Sequence, residues 1–407
     1  MSNSFSRRNF LQTSALAGTG TLLTSTLQAN NLDMILDKDS IGKSKWDLDT
    51  PALVVDLDKM DRNIKAVHTR LQGSGVGVRP HVKTHKSPFI AKMQIAAGAV
   101  GVCAAKLGEA EVMLENGIKN VLMTTVNVTA PKIIKAIALR KKHKGFIQAV
   151  DNPQNIQDLQ DAAKAAGIKA EVVLDIDVIR RSGVPPGEPA MLLAQMIDKM
   201  PNLRFCGILA YDGGVQHVVG FKKRQAQALK AYEPVIKTYE MMKAAGMNME
   251  IFSGAGTGTY DIMSVVPGFT DVQVGSYVFM DRQYIEIGGA RNEKVFDDFE
   301  TSLTVMSTIV NNYHAGRLTT DSGSKAFTLN KPNPLVLGEP DFNYNAGSDE
   351  YGVITFEKSN KTYKVGDKLE LVAPHCDPIV NLYDVIYGTR NDKVVQVIPV
   401  LARGKSQ

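Results

Sequence analysis

The sequence is poor in cysteine, with only three among its 407 residues. Cys103, Cys206 and Cys376 are widely spaced and never form a CxxC pair, which argues against a disulfide framework and against a zinc knuckle. The excess of one sign of charge is also small, since 47 basic residues face 42 acidic ones, and a net charge of +5 gives no case for a nucleic-acid partner. No segment has the roughly 18 uninterrupted apolar residues of a membrane helix. With 44% apolar residues, the chain is expected to be globular, with one large domain and a smaller one.

Residues 6–29, SRRNFLQTSALAGTGTLLTSTLQA, have the layout of an export signal. Arg7 and Arg8 are followed by apolar and small residues in a run too short to span a bilayer, and Ala29 is a candidate cleavage point. A frayed tail with two arginines by chance is the alternative. Because the segment resembles a twin-arginine signal, we expect residues 1–29 to be recognised by the twin-arginine export machinery and the protein to be periplasmic. Residues 30–48 are then a polar linker.

Short apolar runs alternate with longer amphipathic stretches between residues 49 and 290. The runs have strand composition, and the stretches between them, such as 57–71 and 221–245, have the apolar spacing of helices. About eight such units without a long break predict a (β/α)₈ TIM barrel over residues 49–290, with a doubly wound sheet as the alternative. The candidate strands are 52–56, 76–80, 99–103, 120–125, 146–150, 170–176, 204–211, 249–252 and 271–279.

From about residue 295 the rhythm changes to strands without helices between them. SLTVMSTIV, RLTTDSG, YGVITFE, KLELVAP and VVQVIPV are separated by Asn, Gly and Pro. This pattern predicts an all-β C-terminal domain over residues 291–407.

The stretch VRPHVKTHKSP, residues 78–88, concentrates cations and imidazoles. It could be a solvated basic face, since charge runs usually are. If the run instead continues a strand, Arg79, His81 and Lys83 share one face, because side chains alternate at period two. A lysine held beside other cations has a depressed pKa and can act as a nucleophile.

A glycine-rich turn, SGAGTGTYD at residues 253–261, follows a strand-like segment. Its glycines would let the backbone approach an anion, and its amides and hydroxyls could hold a phosphate. No GK[ST] follows, which excludes a P-loop. A lone glycine-rich turn is weak evidence, but its place late in a barrel strengthens it, because phosphates bind there in many barrels.

Two more stretches, DIDVIRRSGV (175–184) and AYDGGVQH (210–217), end candidate strands. Each alone could be an ordinary loop. In a barrel, the carboxyl ends of the strands lie at one face, so both loops would meet Lys83 and the glycine-rich turn there.

APHCDPIVNLYD, residues 373–384, places a histidine and an aspartate two positions apart. On an extended strand His375 and Asp377 would point to one side and Cys376 to the other, so imidazole and carboxylate could chelate one divalent cation. The alternative is a histidine satisfied by a nearby carboxylate in a turn.

Taken together, these stretches resemble the D-threonine aldolase and D-serine dehydratase family. Its members are fold-type III pyridoxal-phosphate enzymes related to alanine racemase, and the resemblance covers nearly all of the chain after residue 45. The matching motifs are RPHVKTHK, AKLGEAE, RSGV, AYDGG, SGAGTGTYD, QVGSYVFMD, TTDSGSKAF, SDEYG and HCDP.

The resemblance implies a role for each matching residue. Lys83 resembles the lysine that forms the Schiff base with pyridoxal 5′-phosphate, Arg181 would lie near the ring hydroxyl and Tyr211 near the pyridine nitrogen. His375 and Asp377 would bind the metal, with His375 counted among the catalytic residues. The phosphate would be held by Gly256, Thr257, Gly258, Thr259, Gly275 and Ser276.

The chain departs from the family pattern just before the arginine. It has VIRRSGV where relatives often have a less basic approach, so either Arg180 or Arg181 could point inward. Dehydratase relatives tend to offer HxC, a soft pair suited to zinc, whereas aldolase relatives offer HxD, suited to harder ions. This chain is HxD, so Mn²⁺ is expected, with Mg²⁺ or Zn²⁺ as alternatives.

The resulting prediction is a lyase, a metal-dependent aldolase that cleaves D-3-hydroxy amino acids such as D-threonine to glycine and an aldehyde. The alternatives are a dehydratase of D-serine or D-threo-3-hydroxyaspartate and a protein that only binds or carries pyridoxal phosphate. A racemase is less favoured, because it needs two bases on opposite faces and no metal. The resemblance also implies a homodimer with its site near the interface.

Overall fold

The computed structural model describes residues 37–359 and 361–407. The predicted export signal, 1–29, and the first part of the predicted linker lie outside the described residues. Within the described ranges, no helix combines the length and the apolar character needed to cross a membrane.

Eight short parallel strands form a curled sheet in the order β2-β9-β8-β7-β6-β5-β4-β3. A parallel bridge between His81 and Cys103 joins the chain after β2 to β3, so the two edges of the sheet meet. The predicted barrel of parallel strands is therefore confirmed. Its strands are β2 (Gly77–Val78), β3 (Val102–Ala104), β4 (Val121–Met123), β5 (Phe146–Val150), β6 (Ala170–Asp175), β7 (Leu203–Ala210), β8 (Ile251–Gly254) and β9 (Asp271–Val272).

Helices alternate with these strands and begin at start signals in the sequence. The Asp56 carboxylate accepts hydrogen bonds from two N–H groups in the first turn of α1. Pro88 and Pro153 open α2 and α5, where a missing N–H costs nothing. The longer helices are α1 (Leu57–Arg70), α2 (Pro88–Ala96), α3 (Leu107–Glu115), α4 (Ala130–Lys142), α5 (Pro153–Ala165), α6 (Glu188–Asp198) and α7 (Phe221–Ala244), and the short ones are α8 (Tyr260–Met263), α9 (Arg282–Ile285), α10 (Ser324–Phe327) and α11 (Cys376–Val380).

A second, largely antiparallel sheet forms the C-terminal domain, as predicted. Its strands pair in the order β11-β14-β13-β12-β15-β10-β1-β16-β17, and β11 also pairs with β10. They are β1 (Ala52–Asp56), β10 (Leu303–Asn311), β11 (Arg317–Thr320), β12 (Leu335–Val336), β13 (Asn343–Ala346), β14 (Gly352–Thr355), β15 (Lys368–Val372), β16 (Val385–Arg390) and β17 (Lys393–Pro399).

Strand β1 lies in this second sheet, although its position before α1 predicts a barrel strand. Residues 52–55 pair antiparallel with 303–306, and residues 54–56 pair parallel with 387–389. Its first four residues are buried, so its composition suits a central strand of either sheet. The local sequence therefore specifies a strand without specifying its partners.

One apolar core extends from the barrel into the second domain. Val55 of β1, Tyr277 after β9 and Leu371 of β15 belong to the same buried cluster. Helix α11 of the second domain packs against the 3₁₀ turn Val82–Thr84, which follows β2. The second domain thus covers the carboxyl end of a barrel strand, where barrel enzymes place their chemistry.

Candidate active site

Lys83 lies on the 3₁₀ turn Val82–Thr84, called the lysine turn below. Strand β2 ends at Val78, so the predicted alternation of side chains does not reach the lysine. Arg79 instead points into the barrel, where its guanidinium donates to both carboxylate oxygens of Asp271 at 3.0 and 3.3 Å. The chain stays extended through His81, whose N–H donates to the carbonyl of Val274 at 2.8 Å, and the 3₁₀ turn begins after it. The prediction that Lys83 shares the alternation of Arg79 and His81 is therefore wrong.

The ammonium of Lys83 contacts the carboxylate of Asp377, which lies 294 residues further along the chain. Burial alone lowers the pKa of Lys83, but the charge of Asp377 raises it above its usual value. The depressed lysine pKa expected from neighbouring cations is therefore wrong. Burial raises the pKa of Asp377, yet Lys83 and His375 together hold it well below its usual range, so the carboxylate stays charged.

His375 and Asp377 lie side by side, but not on the extended strand that the spacing predicts. His375 is the N-cap of α11, and Pro378 occupies the first turn of that helix, where its fixed φ favours helix and its missing N–H is not needed. The Nε2 atom of His375 is 4.0 Å from Oδ2 of Asp377. The imidazole and the carboxylate therefore lie on one side of the site as predicted, but at the start of a helix and not on an extended strand.

Asp281 orients the histidine, a role that the sequence argument missed. Its Oδ2 atom accepts hydrogen bonds from His375 Nδ1 at 3.0 Å and from the Cys376 N–H at 2.9 Å. We assign the Nδ1 proton from this contact, which leaves Nε2 directed toward Asp377. Burial lowers the pKa of His375, but the hydrogen bond to Asp281 and the charge of Asp377 raise it above its usual value.

Of the two arginines after β6, Arg181 lies beside Tyr211. Its guanidinium carbon is 5.3 Å from the centre of the Tyr211 ring. Arg180 has a left-handed backbone with φ 61°, and its N–H donates to Oδ1 of Asp177 at 2.5 Å. Burial raises the pKa of nearby Asp175 to about 7, although the charge of Arg181 opposes the rise. Both arginines are exposed, but only Arg181 is brought together with Tyr211, so the ring contact and not burial separates them.

The glycine-rich turn after β8 is shaped by Gln216. The Gly258 N–H donates to Oε1 of Gln216 at 2.8 Å, and Nε2 of Gln216 donates to Oγ1 of Thr259 at 2.7 Å. A Cβ atom at Gly256 or Gly258 would come within 2.7 or 2.1 Å of Gln216. These glycines are therefore needed for packing against Gln216. The N–H of Gly258 is already engaged, which corrects the expectation that it offers a free donor to a phosphate.

Thr257 of the glycine-rich turn, together with Gly275 and Ser276 after β9, connects that turn to the lysine turn. Oγ1 of Thr257 accepts a hydrogen bond from the Tyr277 N–H at 3.1 Å, which ties the loops after β8 and β9 together. A Cβ atom at Gly275 would lie 2.6 Å from Oγ1 of Thr84, so only glycine lets the lysine turn approach this closely. Ser276 is buried beside it.

Two buried oxygen atoms at this place, Oγ1 of Thr84 and Oδ1 of Asp377, make no hydrogen bond of good geometry with the described residues. The Thr84 hydroxyl lies close enough to Asp377 to help lower the pKa of that carboxylate, so Oδ1 of Asp377 is the buried atom that indicates a ligand. Thr84 adjoins Gly275, where a phosphate is expected. Asp377 and His375 offer oxygen and nitrogen ligands suited to a divalent metal. Across residues 37–359 and 361–407, no group of three or more His, Cys, Asp or Glu side chains is placed to hold a metal, so the pair would bind it largely alone.

His217 and Tyr284 also belong to the site, and the sequence argument gave neither a role. Their ring centres are 4.5 Å apart. Burial lowers the pKa of His217, so its imidazole is neutral near pH 7 and can accept a proton. Position in the sequence could have indicated His217 and Asp281 as site residues, because His217 ends the stretch AYDGGVQH and Asp281 ends QVGSYVFMD.

Two models of known protein families match most of the chain. The model of the alanine racemase N-terminal domain matches residues 55–283, which is more than half of the chain. The model of a serine dehydratase domain matches residues 302–389. The first match covers the barrel and the second covers most of the C-terminal sheet.

Curated relatives and solved structures agree with these matches. 3-Hydroxy-D-aspartate aldolase of Paracoccus denitrificans (strain Pd 1222) is 36% identical over 367 residues, which are 89% of this chain and 94% of that protein. D-Threonine aldolase of Arthrobacter sp is 32% identical over 361 residues, 88% of this chain and 94% of the relative. The crystal structure of D-threonine aldolase from Filomicrobium marinum is 34% identical, has a TM-score of 0.86, and covers 89% of this chain and 98% of its own.

Proposed function

This chain belongs to the fold-type III pyridoxal-phosphate lyases related to the D-threonine aldolases and D-serine dehydratases, and we propose that it cleaves D-3-hydroxy amino acids to glycine and an aldehyde. One observation carries the proposal. The Lys83 ammonium contacts Asp377, which lies 4.0 Å from Nε2 of His375. This contact joins an amine that can hold the cofactor to a pair that can hold a metal. A protein that only carried the cofactor would have no use for the pair.

Pyridoxal phosphate, when bound, supplies a conjugated ring that takes up the electrons released as the Cα–Cβ bond breaks. Lys83 would hold it covalently, and Tyr211 and Arg181 would flank its ring. Thr257, Ser276 and Thr84, whose hydroxyls are buried between the lysine turn and the glycine-rich turn, would hold its phosphate. Because Thr84 is next to Lys83 in the chain, one turn would fix both ends of the cofactor.

A divalent metal at His375 and Asp377 would supply a Lewis acid for the β-hydroxyl group of the substrate. Asp281 fixes the imidazole of His375 through Nδ1, as is usual for metal-binding histidines. Asp377 is charged before any metal arrives, because Lys83 and His375 hold its pKa low. Harder ions such as Mn²⁺ and Mg²⁺ suit this carboxylate better than they suit a thiolate.

Cleavage requires the β-hydroxyl to lose its proton as the Cα–Cβ electrons move away, and Cα to gain one. Asp377 is a poor acceptor for that proton, since its pKa lies far below neutrality. His217 is better suited, because burial keeps its imidazole neutral close to His375. We therefore assign His217 to proton acceptance and Asp377 to metal binding.

The substrate test is a panel of D- and L-3-hydroxy amino acids incubated with the purified protein, with and without Mn²⁺. The panel contains threonine, serine and both diastereomers of 3-hydroxyaspartate. We expect glycine and an aldehyde from D-configured substrates only, and more product when Mn²⁺ is present. Ammonia and a keto acid would instead identify a dehydratase. No turnover of any member, with pyridoxal phosphate bound, would favour the carrier.

Export by the twin-arginine route is a further proposal, supported by the SRRNFL sequence at residues 6–11. Replacing Arg7 and Arg8 together by lysine is expected to leave the precursor in the cytoplasm, because an ammonium group does not reproduce the paired guanidinium groups. Cell fractionation measures this, and unchanged periplasmic recovery would contradict it. The homodimer implied by the family resemblance also stays a proposal, which sedimentation of the purified protein would test.

A further inference from the structure

We infer that the buried ion pair of Lys86 and Glu109 positions the lysine turn, so that Lys83 presents the cofactor in one fixed orientation. The inference rests on the proposed function, because it assigns a role toward the cofactor held by Lys83. Lys86 and Glu109 would be positioning residues, since neither reaches the reacting atoms. The pair joins RPHVKTHK to AKLGEAE, two of the stretches that carry the family resemblance.

The two side chains are among the most enclosed charges near the site. Nζ of Lys86 lies 2.9 Å from Oε1 of Glu109, and the side chains are only 8% and 2% exposed. A buried charge is costly unless it is paired, so each side chain holds the other in place. The proposed chemistry uses neither group.

The backbone of Lys86 closes the lysine turn. Its N–H donates to the carbonyl of Val82 at 2.7 Å, and its φ of 51° is left-handed, a conformation that non-glycine residues rarely adopt. Glycine would be the ordinary choice at such a position. The side chain is nevertheless a lysine that reaches Glu109, which indicates that this contact offsets the unfavourable backbone geometry.

Glu109 is itself fixed by the start of α3. Its Oε2 atom accepts hydrogen bonds from the N–H groups of Ala105 and Lys106 at 3.0 and 3.1 Å. The adjacent Gly108 donates its N–H to the carbonyl of Gln407 at 2.9 Å. The ion pair therefore anchors the lysine turn to a rigid helix start.

A segment near residue 402 also contacts the backbone of Lys86. The N–H of Ala402 donates to the carbonyl of Lys86 at 3.0 Å. Lys86 is thus held at its N–H, its carbonyl and its side chain, three residues after Lys83. These contacts make the orientation of Lys83 depend on the pair.

The decisive variant is the double change Lys86→Met with Glu109→Gln. It removes both charges, so no unpaired charge stays buried, and the glutamine Oε1 can still accept from the N–H groups of Ala105 and Lys106, which precede α3. The matched control is Lys135→Met with Glu111→Gln, which breaks a 2.6 Å ion pair between α4 and α3 whose side chains are 44% and 35% exposed.

We expect the double variant to keep its full content of pyridoxal phosphate and to lose at least about half of the circular dichroism induced in the bound cofactor. We expect kcat to fall about tenfold while KM stays within about threefold, because a misplaced lysine impairs reaction more than binding. Lys86→Arg, which keeps the charge, should restore the dichroism. The surface control should match the wild-type holoenzyme in all three measurements.

A purely structural role would give a different pattern. Leu159→Ala in α5, a core truncation remote from the cofactor, serves as a standard for lost stability. The inference would be overturned if the double variant had a lowered Tm, as Leu159→Ala should, but kept wild-type dichroism and kcat. If the double variant failed to fold, Lys86→Arg and Glu109→Gln would be compared in its place, and wild-type dichroism in Glu109→Gln would overturn it. Failure of the proposed function is distinguishable, because the wild-type protein would then show no turnover.

Discussion

Lys83→Ala is expected to abolish the visible absorbance of covalently held pyridoxal phosphate and to reduce aldolase activity by at least about 10³-fold. Lys83 is the amine that contacts Asp377, and its side chain is 35% exposed, so a substrate or cofactor can reach it. Without the amine, the cofactor can bind only through its phosphate and ring contacts. Absorbance of the purified protein and product formation from D-threonine measure the two effects.

Two lysines serve as controls for this experiment. Lys92 is exposed on α2, and Lys92→Ala should change neither absorbance nor activity. Lys86→Ala should retain the covalent cofactor, because its amine is directed to Glu109 and not into the site. Retained absorbance in Lys83→Ala, with loss in Lys86→Ala, would show that the wrong lysine of the motif was assigned.

Removal of the metal by a chelator is expected to abolish aldol cleavage while the cofactor absorbance persists. His375 and Asp377 are the two protein ligands that we propose, and two ligands should bind weakly enough for a chelator to compete. Addition of Mn²⁺ should then restore activity. Metal content before and after treatment, together with the rate of glycine release, gives the measurement.

Variants of Asp377 separate the metal from other effects of chelation. In Asp377→Ala, a single imidazole is left for a hard cation, so we expect at least about 100-fold less activity and no rescue at ordinary Mn²⁺ concentrations. Asp377→Cys should favour zinc and raise any dehydratase activity relative to aldol cleavage. Asp384→Ala removes a carboxylate that pairs with Arg403 at the surface and should behave as wild type.

Full aldolase activity in the chelated enzyme would contradict the metal mechanism. His375 would then have a structural role, with Asp281 and Asp377 as its partners. Activity that vanished together with the cofactor absorbance would also count against this reading, because the metal pair would then be needed for cofactor binding.

The barrel could be predicted because its signals are local. Apolar runs, helix spacing and start signals such as Asp56 and Pro153 lie within a few residues of the elements that they specify. Strand pairing is not local, and β1 shows the consequence. Its ALVVD sequence predicts a buried strand correctly, but pairing with residues 303–306 and 387–389 depends on segments far along the chain.

The same distinction applies to the site. Motifs could nominate Lys83 and His375, but the electrostatics could not be predicted, because the carboxylate that raises the lysine pKa comes from the other domain. The cations beside Lys83 in sequence turned out to be occupied elsewhere, Arg79 by Asp271 and Lys86 by Glu109. Pro378 was the overlooked local signal, since it favours the helix that replaces the predicted strand at Asp377.

The place of β1 also determines the order in which the molecule can be completed. As the ribosome makes the chain, β1 emerges first among the described strands, yet both neighbours come from beyond residue 302. Leu53 and Val55 are fully buried in the folded protein. Until the two neighbouring strands have been synthesised, both residues lie on a strand with two unpaired edges, and such edges can pair with other chains. A protein truncated after residue 290 would keep β1 permanently without its two neighbouring strands. The second sheet is therefore completed last, although its strand β1 is synthesised before every strand of the barrel.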